Sequence, residues 1–121
     1  MPMDDILLHN SEFRLCSIVW ANEPLKSAQL ATLAEQELGW KKTTTYTVLR
    51  KLINRNILQN KDTIVTALIK REQAQKSQSD ALLDRVFNGQ LPSLFVSFLD
   101  GRKLTAKEAA ELHKLIDSAK E

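Results

Sequence analysis

Between Gly39 and Arg71 the chain sets hydroxyl and cationic side chains at spacings that suit contact with a polyanion. Lys41, Lys42, Thr43 and Thr44 open a helical pattern, where unpaired backbone N–H groups and the positive end of the helix dipole already favour a phosphate. Thr44, Tyr46, Thr47, Arg50 and Lys51 continue along its polar arc, within reach of base edges. Threonine methyls suit thymine methyls there, and the cations suit guanine. Arg55, at the end of the same pattern, and Lys61, in the turn beyond it, are expected to meet flanking phosphates. The window holds eight cations against the single acid Asp62, a net +7, in a chain whose total is only +2. A basic block inside an otherwise acidic chain is what a phosphate-facing surface requires, because each neutralised phosphate releases counterions. For the block as a whole, and for each side chain in it, the plain alternative is a solvated positive face.

The other chemically capable residues point to packing. Trp20 and Trp40 could stack on bases, but each flanks an apolar stripe and is expected in the core or at a hinge. His9 and His113 have no second ligand at helical spacing, so no metal site is expected. Cys16 lies within an apolar stripe and reads as a small core residue. One cysteine allows no internal disulfide, which fits a reducing cytoplasm. There is no glycine-rich phosphate loop, nucleophile elbow or HExxH, so neither catalysis nor a cofactor is expected. The opening MPMDDILLHN is acidic and has no long apolar stretch, unlike a secretory signal. No apolar run approaches the ~20 residues of a membrane span.

These residues need elements to hold them. Phe13, Leu15, Cys16, Val19 and Trp20 recur at helical spacing over Ser11 to Ala21, ended by Asn22, Glu23 and Pro24. Leu30, Leu33, Ala34 and Leu38 mark a second helix from Ser27 to Leu38, with Gly39 placed as a left-handed stop. After a short turn, Thr45, Leu49 and Leu52 give a third helix from about Thr43 to Asn56 an inward face, leaving Thr44, Thr47, Lys51 and Arg55 on the other side. Two helices around a short glycine-bearing turn form a helix-turn-helix, and the second is then the reading helix. Ile57–Leu58 and Thr63–Ile69 flank a polar turn and predict a small hairpin, a wing.

Three more helical patterns follow, Glu72 to Phe87, Leu91 to Leu99, and a last one opened by the capping box Thr105 with Glu108. The fold class is therefore mostly α, a winged helix-turn-helix over residues 1–70 followed by a helical dimerisation arm over 71–121. An arm of this size rarely builds its own core, so a second copy is expected to cover Leu82, Val86, Phe87, Leu91, Leu94, Phe95, Phe98, Leu112, Leu115 and Ile116. A two-fold homodimer also brings two reading helices to half-sites about 34 Å apart. The alternatives are an arm folded back on its own first domain and, for function, a winged-helix protein–protein adaptor without specific DNA binding.

The chain resembles the BlaI/MecI penicillinase-repressor family over nearly its whole length. The resemblance runs through Ile18, Val19 and Trp20, then Leu38, Gly39 and Trp40 with Thr44, Thr47, Leu49, Lys51 and Leu52. It continues from Phe87, Asn88 and Gly89 through Ser93, Leu94 and Phe98 to Leu104, Thr105, Glu108, Glu111, Leu112, Leu115 and Ile116. It implies a homodimeric transcriptional repressor on a palindromic double-stranded DNA operator. In antibiotic-responsive members a sensor protease inactivates the repressor by cutting the arm, and the corresponding bond here joins Ser97 and Phe98. Ser97 stands where that cleavage site has asparagine, Tyr46 replaces a usually basic residue, and the wing is short and lacks its tyrosine. Lys26 occupies the place of a capping threonine, so Ser27 is expected to cap. The related CopY-like copper-responsive branch uses a cysteine-rich tail, of which this sequence carries nothing.

Overall fold

The computed structural model describes residues 7–121. The chain divides into two compact units, one reaching to Leu82 and the other running from Leu83 to Glu121. In the first, α1 (Asn10–Asn22), β1 (Leu25–Lys26), α2 (Ser27–Leu38), α3 (Lys42–Asn54), β2 (Leu58–Lys61) and β3 (Ile64–Ala67) follow in order. Then comes α4 (Arg71–Phe87), whose last residues belong to the second unit together with α5 (Leu91–Leu99) and α6 (Ala106–Ala119). The fold is a winged helix-turn-helix, three helices closed by a small antiparallel sheet of order β1-β3-β2.

The core of the first unit draws on every element. Leu15, Cys16 and Val19 of α1, Leu30 and Ala34 of α2, and Leu49 and Leu52 of α3 are buried together with Leu58 and Val65 of the strands. Ala74 of α4 joins them, which fixes the first turns of that helix to the winged domain. The leucines and valines among them each contribute roughly 1.5 to 3 kcal/mol by leaving water.

Three features were not read from the sequence. Strand β1 is only two residues long and pairs Leu25 with Val65, a partner forty positions away that no local periodicity announces. Ser27 is the first residue of α2 rather than its cap. Lys26 occupies the cap position, where its N–H donates to Gln29 Oε1 at 2.9 Å. The wing turn is tight. Lys61 pairs with Ile64, and the two residues between them, Asp62 and Thr63, both have positive φ, 53° and 67°. That sign at both positions is what a two-residue hairpin loop of the right twist needs.

Candidate nucleic-acid interface

Helix α3 is placed by what surrounds it. Gly39 adopts φ 71° to stop α2, a conformation that glycine alone takes at little cost, and only Gly39, Trp40 and Lys41 separate the two helices. Thr45, Val48, Leu49 and Leu52 form the buried face of α3. At its far end Asn56 takes φ 59°, a left-handed stop, and the Ile57 N–H donates to Leu52 O at 3.0 Å.

With that face inward, the opposite one stands in solvent. Lys41, Lys42, Thr43, Thr44, Tyr46, Thr47, Arg50 and Lys51 are all exposed, as is Lys61 at the end of β2. Lys41 caps α3 without a side-chain hydrogen bond, so no side chain of the cap residue competes for the N–H groups of the first turn. The Thr47 hydroxyl donates to Thr43 O at 2.9 Å, which commits its proton and leaves the oxygen able only to accept from a ligand. Tyr46 is 39% exposed.

Arg55 departs from the sequence expectation. Its Nη1 lies 2.7 and 2.8 Å from the two carboxylate oxygens of Glu12, and its Nη2 donates to the Leu7 carbonyl. The guanidinium is engaged by α1 and the segment before it, not displayed beside Lys51 as a phosphate contact. Glu12 is buried and also accepts the His9 N–H at 2.8 Å. Burial alone would raise its pKa, but the His9 N–H and the Arg55 guanidinium outweigh that and hold the carboxyl below its ordinary value. The signal was present in the sequence, since Glu12 lies at i−3 and i−4 from the buried Leu15 and Cys16, and an acid on an inward face calls for a cation.

The remaining candidates sit as packing residues. Trp20 donates its Nε1–H to Ile69 O at 2.9 Å, meets Phe13 edge-on at 5.4 Å and carries Arg71 5.5 Å from its ring centre. Trp40 packs against the core. Cys16 is fully buried, and desolvation, with the Glu12 charge adding to it, pushes its thiol up to about 12. Among the described residues no three metal-ligating side chains converge, and no helix is long and apolar enough to cross a membrane.

In the second unit, Leu94, Phe95 and Leu112 are half-buried, whereas Leu91, Phe98, Leu115 and Ile116 are exposed, Leu115 to 65%. On α4, Leu82 and Phe87 are half-buried and Val86 is exposed. No residue of α5 or α6 is buried within the single chain. Phe95, Leu99, Leu104, Leu112 and Ile116 instead border an open apolar groove of about 380 Å³. Ser97 and Phe98 are exposed on α5.

Comparison with known proteins covers most of the chain. The profile of the family described as penicillinase repressor matches residues 8–118. The chain belongs to the penicillinase repressor family. A relative of that family, the penicillinase repressor of Bacillus licheniformis, is 21% identical over 117 residues, covering 93% of this chain and 91% of the relative. Membership makes this a DNA-binding transcriptional regulator of the repressor type, and the winged helix-turn-helix supplies the fold that such a role needs.

Proposed function

We propose that the protein is a cytoplasmic homodimeric repressor that reads a palindromic operator with α3 and excludes polymerase by occupying it. The observation that carries this reading is the division of α3 into a buried face and a fully exposed hydroxyl and cationic face. Lys41 to Thr44 anchor the backbone at the helix N-terminus. Thr44, Tyr46, Thr47, Arg50 and Lys51 face the major groove, and Lys61 meets a phosphate from the wing. The dimer is supported by α5 and α6, of which no residue is fully buried within the single chain. A second copy covering Leu91, Phe98, Leu115 and Ile116 removes an apolar surface that a stable monomer does not keep.

Relief of repression by a sensor protease is the finer part of the proposal. The Ser97–Phe98 bond is exposed in the single chain, but it lies inside α5, so cutting requires that helix to unwind locally.

A gel shift on DNA from upstream of its own gene, repeated from low to moderate salt, tests the function. Contacts to several phosphates predict a steep loss of affinity as salt rises. A weak response that ignores salt favours the protein–protein adaptor instead.

A further inference from the structure

Three consecutive residues ahead of α1 are each fastened to a different helix. The Leu7 carbonyl accepts from Arg55, just beyond the last turn of α3. Leu8 exchanges two hydrogen bonds with Gln78 of α4, its N–H donating to Oε1 at 3.2 Å and its carbonyl accepting from Nε2 at 3.0 Å. The His9 N–H donates to Glu12 of α1, and that carboxylate in turn holds Arg55. The Leu8 side chain is itself in the core. A strap of three residues thus ties the end of the reading helix to the third turn of α4. At its start α4 is fixed again, because the Ile69 carbonyl just before it accepts from Trp20 and Arg71 stacks on that ring.

We propose that this strap, clamped by Arg55, Glu12 and Gln78, fixes the direction of α3 relative to α4 and so sets which half-site spacing the dimer accepts. The inference rests on the dimeric DNA-binding reading above. Its physical basis is that the two reading helices of a dimer are related only through the elements leading to the interface, and α4 is the helix that leads there. Phosphate and base contacts made by α3 itself decide how well one half-site is bound. The angle between α3 and α4 decides whether the second α3 arrives in register with the next groove. Arg55 and Gln78 are positioning residues in this account. Gln78 stands on α4, away from the exposed face of α3, and acts through the Leu8 backbone.

The test uses the full-length protein and a palindrome selected by the wild type from random-sequence DNA. Wild type, Gln78→Ala and Arg55→Lys are titrated against that palindrome, against a duplex holding a single half-site, and against palindromes with one base pair added or removed at the centre. Both variants are expected to lose about ten-fold on the parental palindrome, to keep single half-site affinity, and to discriminate less between the altered spacings. Melting curves identify a variant that fails to fold, and the other variant then carries the test. Equal losses on palindrome and half-site, or unchanged spacing preference in a folded variant, would overturn the proposal and return Arg55 to the phosphate contacts. A wild type that selects no palindrome would overturn the reading beneath it, and the spacing role with it.

Discussion

At the scale of single residues, a cation does different work according to the partner that the fold brings to it. Lys51 and Arg55 are four positions apart and look equivalent in the sequence, yet Lys51 is exposed and Arg55 is held by a buried carboxylate. The Glu12–Arg55 pair has a pH signature. Because the folded carboxyl lies below its ordinary value of 4.5, the stability that it contributes is present above that value and lost as pH falls through the folded pKa. Glu12→Gln is expected to cost about 2 kcal/mol at neutral pH, the worth of hydrogen bonds to a charged group, and the difference from wild type should close under acid conditions. Denaturant melts of both proteins at pH 7 and near pH 3 check this, and a difference that does not change with pH contradicts it. Arg55 is also where sequence reading stopped short. Position along α3 put it on the outward arc, but its partner is forty-three residues away, on a helix whose inward acid had not been matched to any cation.

The elements were more legible than the contacts between them. Local periodicity and local stops fixed α2 and α5 to the residue. Gly39, Asn56, Gly89 and Gly101 all take the positive φ that their positions after a helix require. The capping box of α6 is present as expected, with Thr105 Oγ1 accepting the Glu108 N–H at 3.1 Å and Glu108 Oε1 accepting the Thr105 N–H at 3.0 Å. Part of what was not legible depends on distant residues, β1 and the clasp between Leu8 and Gln78, whereas the Lys26–Gln29 start of α2 is local but runs through the backbone of a residue type that does not announce a cap. The wing turn holds a local conflict that the pattern of strands did not disclose. Thr63 is β-branched and sits at φ 67°, a region costly for such a side chain. Its exposed position leaves no packing to lose, so Thr63→Gly should stabilise the protein by about 1 kcal/mol. A thermal melt that falls instead of rising contradicts the strain argument.

At the scale of the molecule, the two units differ in what they can bury. The first closes a core around Leu15, Leu30, Leu52 and Val65, while α5 and α6 bury no residue fully and leave Leu91, Phe98, Leu115 and Ile116 in solvent. A chain ending at Leu82 keeps Ala74 and Gln78 with the unit they pack on, and it is expected to sediment as a monomer where the full chain sediments as a dimer. Dimers of the shortened chain would move the interface to the winged domain. The central claim is narrower, that the exposed side of α3 reads bases. It is tested most directly by titrating wild type and Lys51→Ala against the selected palindrome and against random duplex at one salt concentration. The account predicts a loss of roughly 1 to 3 kcal/mol on the palindrome with little change on random DNA. Undiminished palindrome affinity in Lys51→Ala, and again when Arg50→Ala is added, would mean that this face does not touch the bases.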